Sequence, residues 1–259
     1  FPALTAPEIK DELALSPVRA FSIDDSQTTE IDDALSVQGL GTGTVTFGVH
    51  IAAPGLAVQP ESPVDKVARD RLSTVYMPGW KITMLPDEVV QAYTLIEGRD
   101  CPALSLYVTF DEATLELKET QTRLERVPIL SNLRHDQLDQ IVTEQSLTGQ
   151  TAANYPHAPE LAFAFRLAQH LKVQREAVRG KPETFNRPDF TFRLQSTPDA
   201  LASLQAEPSG SEHVQIVPRG RGEPLDLIVA EAMILANSTW GAWLAQSGVP
   251  GIYRSQASM

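Results

Sequence analysis

A short acidic stretch places the strongest constraint on how this chain can fold. Residues 21–33, FSIDDSQTTEIDD, carry five carboxylates and no cationic side chain, namely Asp24, Asp25, Glu30, Asp32 and Asp33. Clustered carboxylates repel one another, at about 1 kcal/mol per pair at ~4 Å in water and several times more where they are partly buried. The fold must therefore either expose this stretch to solvent or supply a cation that offsets the repulsion.

A solvated acidic loop is the commoner outcome for an isolated acidic run, but the neighbouring residues favour a cation. Apolar Ile23, Ile31 and the pair Ala34 and Leu35 flank the carboxylates and would anchor the backbone in regular structure. Mg²⁺ is held by a few carboxylates together with water and substrate phosphates. An EF-hand calcium loop is a poor alternative, because its central glycine and closing glutamate are absent at the required spacing. A calcium-stabilised structural module stays open as a rival interpretation.

Composition limits where such a site could act. The chain has 259 residues, 42% of them hydrophobic, which is enough for a sizeable core. Its net charge of -12 argues against indiscriminate binding of polyanions, so any nucleic-acid site must be local. Cys101 is the only cysteine, which predicts a reducing compartment and hence a cytoplasmic location. No coiled-coil seam is visible, so a monomer without an inferable protein partner is the default expectation.

Hydrophobic patterning predicts an α+β fold. β-branched and apolar residues around a glycine-rich turn predict a hairpin at 34–53, and alternation around the turn DEAT predicts a second at 103–124. Helical patterns follow at 62–76, 132–146, 159–179 and 225–246. The last of these is apolar nearly all round, which predicts a centrally buried helix. We interpret it as a core helix rather than a membrane span because it contains Asp226, Glu231 and Asn237.

Several familiar motifs fail on inspection. Gly39, Gly41 and Gly43 approach a dinucleotide-binding fingerprint, but Thr44 stands where the third glycine should be and a strand pattern follows in place of a helix. A hairpin turn explains these glycines better. The five histidines lack metal-ligand spacing, and His50 lies in an apolar strand pattern, where a hydrogen-bonded core histidine is the favoured interpretation.

One segment concentrates positive charge within this acidic chain. Residues 166–193 carry seven Lys and Arg side chains against three acidic ones, with Phe185 and Phe190 among them. Aromatic faces among cations hold single-stranded nucleic acid at roughly 1 to 3 kcal/mol per stacked base. Tyr76 in the segment VYMPGW could act in the same way. For any one of these aromatic residues, core packing stays the alternative.

Taken together, these segments resemble the catalytic domain of the ribonuclease II / ribonuclease R family of exoribonucleases. The resemblance is carried by SIDDSQTTEIDDALSV, GVHIAAPG, VYMPGWKITMLPDE, EGRDCPALSLYVTFD, VQREAVRGKPETFNRPDF and VAEAMILANSTWGAWLAQSGVPGIYR, in the family's order. It implies the RNB-type α+β fold, with mixed and antiparallel sheet hairpins packed against helices. It also implies a lead-in segment at 1–20 and a catalytic domain at 21–259.

The resemblance implies specific chemistry for the acidic stretch. The family hydrolyses single-stranded RNA from a free 3′ end and releases 5′-nucleoside monophosphates, with one metal ion activating water and another steadying the leaving 3′ oxygen. Its metal-site pattern falls on Asp24, Glu30, Asp32 and Asp33, which would hold Mg²⁺, with Mn²⁺ as a possible substitute. Asp32, Asp24 and Asp33 would be the catalytic carboxylates, with Asp32 the most sensitive to substitution.

The resemblance also assigns RNA-binding positions and shows departures. Tyr76 matches the family's stacking tyrosine. Phe185 or Phe190 matches the region of the family's second stacking aromatic residue, and Glu231 matches a glutamate that contacts substrate. For Glu231, a structural hydrogen bond is an equal alternative. Glu30 replaces an aspartate of the family pattern. The family's arginine-bearing segment does not follow GIYR within these residues, so we expect a catalytic domain that is incomplete at its C-terminus. A catalytically impaired RNA-binding protein of the same fold is the alternative function.

Overall fold

A closed barrel of five strands forms the centre of the fold. The computed structural model describes residues 13–26, 28–78, 80–182, 189–195, 213–219 and 222–253. The strands are β1 (Ala20–Asp24), β2 (Asp33–Gln38), β3 (Thr44–Ala52), β4 (Val75–Met77), β5 (Trp80–Ile82), β6 (Asp100–Asp111), β7 (Leu117–Arg134), β8 (Asp189–Gln195) and β9 (His213–Arg219). The helices are α1 (Pro63–Arg71), α2 (Asp87–Tyr93), α3 (His135–Leu138), α4 (Glu144–Leu147), α5 (Ala158–Arg179) and α6 (Pro224–Gln246), with a 3-10 turn at Pro54–Leu56. The α+β class predicted from sequence is confirmed.

The barrel follows the order β1-β2-β3-β6-β7 and closes by pairing β7 with β1. Neighbouring strands are antiparallel except at this closure, where β1 and β7 run parallel with Phe21 opposite Ser131 and Asp24 opposite Arg134. The antiparallel pair β1 and β2 has Phe21 opposite Leu35. The end of β1 and the start of β2 therefore lie at the same end of the barrel.

Both hairpins predicted from sequence are present as β2–β3 and β6–β7. In the first, Gly39 has a φ of 84°, and a Cβ there would lie 2.4 Å from the Thr44 carbonyl oxygen. Only glycine fits this turn. The Glu112 carboxylate accepts hydrogen bonds from the backbone N–H groups of Gly41 and Gly43, which ties the turn of one hairpin to that of the other.

Two hydrophobic clusters lie on opposite faces of the strands. Phe21, Leu35 and Val108 pack in one cluster with residues of α5 and α6, outside the barrel. Alternate positions, such as Ala34 and Ala103, belong to a second cluster and face the interior, as the two-residue period of a strand requires. The structure confirms His50 as a core histidine.

The central helix and two other helices differ from the sequence prediction. The last helix, α6, buries only one face, which includes Leu225, Ile228 and Ala232, so full central burial was wrong. It packs against α5 and β3. Its length and composition alone would suffice to cross a membrane, which is weak grounds for a span because core helices pass the same test.

Helix α1 begins as predicted, since Ser62 caps it by accepting a hydrogen bond from the Asp65 N–H, but it ends at Arg71. Tyr76 therefore lies on strand β4. The helix predicted at 132–146 was wrong, because β7 continues to Arg134 and only the short helices α3 and α4 follow. The helix predicted at 159–179 is confirmed as α5.

Candidate active site

The acidic stretch connects two strands at one end of the barrel. Asp24 ends β1, Asp33 begins β2, and the remaining carboxylates lie between them. The connection is anchored by backbone bonds: the Ile31 N–H donates to Thr94 Oγ1 at 2.8 Å, and the Ala52 N–H donates to the Asp32 carbonyl oxygen at 2.8 Å. The apolar flanks Ile23, Ile31, Ala34 and Leu35 are buried as well, so the backbone is anchored as the sequence predicted.

Asp24 is held by a short chain of hydrogen bonds. The Ser22 hydroxyl donates to Asp24 Oδ2 at 2.6 Å, and the Asn132 side-chain amide donates to Ser22 Oγ at 3.0 Å. Burial raises the pKa of Asp24 above its usual range, and the Ser22 hydrogen bond, Arg134 and His135 oppose that rise. The side chain is therefore oriented by the barrel but left without full neutralisation.

Asp33 has the most perturbed carboxyl group of the cluster. Burial, followed by repulsion from Asp24 and Asp32, raises its pKa from 3.8 to about 6. The pKa of Asp32 is also raised, first by burial and then by repulsion from Glu30 and Asp24, while Lys81 opposes the rise. These mutual effects mean that the three aspartates share one electrostatic neighbourhood.

Two cavities adjoin the carboxylates. One of about 370 Å³ is lined by Asp24, Asp25 and Asp33 together with His135 and Asp226. The charged walls of this cavity come from β1, β2 and the N-terminal turn of α6, so distant parts of the chain build it together. It is the smaller and more acidic of the two.

The second cavity, of about 520 Å³, has a mixed lining. Its charged wall is formed by Glu30 and Asp32, and apolar side chains such as Ile51 and Val90 line much of the rest. Tyr76 also lines it, although 68% of that residue is exposed. Burial, followed by the charges of Glu30 and Asp32, raises the pKa of the Tyr76 hydroxyl. An apolar cavity beside carboxylates and an exposed aromatic ring suits a nucleotide.

Two of the other sequence-predicted RNA-binding residues, Phe190 and Glu231, line neither cavity. Phe190 is on β8 with 44% of its surface exposed, whereas Phe185 lies outside the described residues. Glu231 is 2% exposed and forms an ion pair with Arg175 at 2.5 Å between α6 and α5. That ion pair matches the structural alternative for Glu231, while its predicted substrate contact stays a prediction.

A family model for the RNB domain matches residues 13–259. The chain belongs to the RNB family. Among curated RNB relatives, it is 28% identical over 248 residues to an uncharacterized ribonuclease of Synechocystis sp., and 27% identical over 260 residues to exoribonuclease 2 of Vibrio parahaemolyticus. These alignments cover 95% and 97% of this chain but 33% and 36% of the relatives, so the chain spans about a third of their length.

Solved structures show the same RNB fold. An active-site mutant of the Dss1 exoribonuclease from Candida glabrata superposes with a TM-score of 0.76 at 20% identity, covering 95% of this chain and 32% of that one. RNase R of Mycoplasma genitalium in complex with ribose-methylated single-stranded RNA superposes with a TM-score of 0.70 at 16% identity. The match covers 91% of this chain and 34% of that one. Yeast Ssd1, a pseudonuclease, superposes with a TM-score of 0.61 at 22% identity, and the match covers 89% of this chain and 25% of that one. Active and inactive proteins thus share this fold.

RNB exoribonucleases generally depend on divalent metal. Among the residues that the structure describes, no three Asp, Glu, His or Cys side chains converge as a complete ligand set. Asp24 and Asp33 do share one cavity, and both have a raised pKa because burial leaves their charge unfavourable. A carboxylate pair completed by water and substrate phosphate is the arrangement that Mg²⁺ accepts, so these residues fit the ion.

Sequence reasoning did not single out three side chains at this site. Lys81 contacts Glu30, and His135 and Asp226 line the acidic cavity. Each comes from a segment at least 50 residues away from its neighbour in the acidic stretch, and no local pattern marks them. For Lys81 the sequence offered one signal: this cation directly follows the segment VYMPGW, which the resemblance already singled out.

Proposed function

We propose that this protein is a metal-dependent exoribonuclease that hydrolyses single-stranded RNA from its 3′ end to 5′-nucleoside monophosphates. The observation that carries the proposal is the group of Asp24, Asp32 and Asp33, three carboxylates held at one end of a barrel next to two cavities, with Asp24 and Asp33 half-buried and Asp32 exposed. Partial desolvation raises the pKa of each, and repulsion between the carboxylates adds to the rise for Asp32 and Asp33. RNB family membership supports the reaction class. The names of the curated relatives, ribonuclease and exoribonuclease 2, support RNA as the substrate.

The carboxylates would divide the work. Asp24 and Asp33 would hold a divalent cation in the acidic cavity, where the ion supplies charge stabilisation for the phosphate and a more acidic water. Asp32 would accept the proton of the attacking water, a role that its raised pKa favours. Water adds to the phosphorus of the terminal phosphodiester and the bond to the preceding 3′ oxygen breaks. The products are a 5′-nucleoside monophosphate and RNA shortened by one nucleotide with a free 3′ hydroxyl.

Tyr76 would bind the terminal nucleotide by stacking. Its ring is exposed at the cavity that Asp32 lines, so a base placed on the ring would bring its phosphate towards the carboxylates. An unpaired terminal base is free to leave its neighbours and stack on this ring, as bases do in single-strand binding proteins. This arrangement supports a preference for single-stranded RNA.

The test uses a 5′-labelled single-stranded RNA incubated with Mg²⁺, with Mn²⁺ and with a chelator. We expect the labelled RNA to shorten stepwise from its 3′ end and mononucleotides to be released, and both only when metal is present. Asp32→Asn should abolish release while leaving RNA binding intact. Cleavage inside the RNA, or release that continues undiminished in Asp32→Asn, would contradict the proposal.

A catalytically impaired RNA-binding protein is the second candidate. It is favoured by Glu30, which is ion-paired with Lys81 rather than directed into the acidic cavity. The similarity to yeast Ssd1, a pseudonuclease, shows that the fold itself does not require activity. RNA retained tightly with no product at any metal concentration would favour this candidate.

A further inference from the structure

Glu30 makes contacts that set it apart from the three aspartates. Its Oε1 lies 2.6 Å from the Lys81 ammonium, which also donates to Thr29 Oγ1 at 2.7 Å. The Thr74 hydroxyl donates to Glu30 Oε2 as well, at 3.4 Å. The Glu30 side chain is only 10% exposed. Its carboxylate oxygens are therefore already occupied by donors from the protein.

Both donors, Lys81 and Thr74, belong to one structural unit. Strands β4 and β5 form a two-stranded hairpin that is separate from the barrel, and Tyr76 is directly opposite Lys81 in it. Thr74 immediately precedes β4. Glu30 thus connects the acidic stretch to this hairpin, which presents the Tyr76 ring at the larger cavity.

The Lys81 ammonium also retains binding capacity. An ammonium has three N–H donors, and Glu30 and Thr29 account for two of them. Among the contacts of the described residues, none involves the third. The Lys81 side chain is 30% exposed and lies within 2.6 Å of a residue that lines the cavity. A phosphate of RNA brought to this cavity would meet a fixed positive charge there, beside the negative charges of Glu30 and Asp32.

We propose that Glu30 anchors the β4–β5 hairpin instead of ligating the metal, and that the Lys81 ammonium seated on it binds a phosphate of the RNA. This inference rests on the proposed exoribonuclease function and departs from the sequence-based expectation that Glu30 holds Mg²⁺. Asp24 and Asp33 carry the cation, Tyr76 stacks on the base, and Lys81 fixes the phosphate between them. Lys81 is a substrate-binding residue and Glu30 a positioning residue.

The first test measures RNA binding without metal. Affinity of the protein for a single-stranded RNA with a free 3′ hydroxyl is determined in a chelator over a range of salt concentrations, for the wild type, Lys81→Met and Lys81→Arg. Each phosphate contact to a single strand contributes about 0.7 to the slope of log K against log salt. We expect Lys81→Met to bind roughly tenfold more weakly with a slope smaller by about 0.7, and Lys81→Arg to retain the slope.

A matched control is available on the far hairpin. Lys118 forms an ion pair with Asp111 at 2.9 Å near the β6–β7 turn. Lys118→Met removes the same charge and the same kind of contact, and we expect it to leave RNA affinity and slope unchanged. An equal loss in both variants would show a general charge effect and would overturn the assignment of Lys81.

The second test measures Mn²⁺ binding in the absence of RNA. We expect Glu30→Gln to bind Mn²⁺ as the wild type does, and Asp33→Asn to bind it at least tenfold more weakly. Lost Mn²⁺ affinity in Glu30→Gln would overturn the inference, as would wild-type RNA affinity and slope in Lys81→Met. Either of these two results would leave the proposed exoribonuclease function valid, provided that the wild type degrades RNA. A wild type that binds no RNA overturns the function and the inference together.

Discussion

Replacing Asp33 by asparagine is expected to stabilise the metal-free protein near neutral pH. The pKa of Asp33 is raised from 3.8 to about 6 by burial and by repulsion from Asp24 and Asp32. The folded state therefore binds the proton more tightly than the unfolded state, and folding stability falls as pH rises through this window. One pKa unit corresponds to 1.36 kcal/mol, so the loss reaches about 3 kcal/mol above pH 7. Asparagine has nearly the same shape and no charge, so the variant avoids this loss.

Thermal unfolding in a chelator at several pH values measures the effect. Because 1 kcal/mol shifts the melting temperature by about 2–4 °C for domains of this size, Asp33→Asn should melt about 6–12 °C above the wild type at pH 7.5. The difference should shrink as pH is lowered towards about 4, where the wild-type carboxyl is protonated in the folded state. Mg²⁺ at 100 times its Kd should raise the free energy of unfolding of the wild type by about 2.7 kcal/mol and that of the variant by less. The difference in melting temperature between the two proteins should therefore become smaller.

Asp111 provides a control of opposite sign. It lies partly exposed near the β6–β7 turn, and a hydrogen bond from Lys118 holds its pKa below the usual range. Its contribution to stability is present at neutral pH and is lost as pH falls, so Asp111→Asn should melt lower than the wild type at pH 7.5. The reasoning about Asp33 is refuted if Asp33→Asn melts at or below the wild type without metal, or if its advantage does not change with pH.

Three further predictions concern binding and stability. Tyr76→Ala should weaken single-stranded RNA binding by about 1–3 kcal/mol while Tyr76→Phe retains it, and equal affinities in a titration would rule out stacking. Glu231→Gln removes the buried negative charge that pairs with Arg175 between α6 and α5; urea unfolding should show a loss of up to about 3–5 kcal/mol, and an unchanged midpoint would contradict a stabilising role of this pair. Gly48→Ala would place a Cβ 2.3 Å from Ser36 Oγ, so a loss of about 1–3 kcal/mol is expected in the same assay, and Ser36→Ala should recover part of it.

The parts of the fold that local patterns determine could be predicted from sequence. The β2–β3 hairpin follows from alternation on both sides of Gly39, whose positive φ only glycine adopts easily. Helix α1 begins where Ser62 and Pro63 predicted it, because a cap and a following proline act within one turn. The acidic stretch was predicted to be anchored by its apolar flanks, and Ile31 is indeed buried.

The remaining features depend on contacts between distant segments. Barrel closure pairs β1 with β7, which lies more than 100 residues later in the chain. The residues of β7 near Arg134 have a helical sequence pattern, and only their pairing with β1 makes them a strand. Helix α6 is apolar on all sides, yet the pattern does not show that the fold covers only one face. The ion pair of Lys81 with Glu30 joins residues 51 positions apart. Sequence spacing can place Glu30 in a metal pattern but cannot show which donors reach it first.

The barrel also explains why the carboxylates of the acidic stretch stay close together although they repel one another. Asp24 ends a strand that pairs with β2 and β7, and Asp33 begins a strand that pairs with β1 and β3, so neither backbone can retreat from the other without breaking sheet hydrogen bonds. The repulsion therefore persists in the metal-free fold, and a bound cation would relieve it. It follows that metal affinity and metal-free stability oppose each other at this site. A substitution that lowers the pKa of Asp33 should gain stability and lose Mn²⁺ affinity together, and a variant that gained both would show that the carboxylates are not held in place by the barrel.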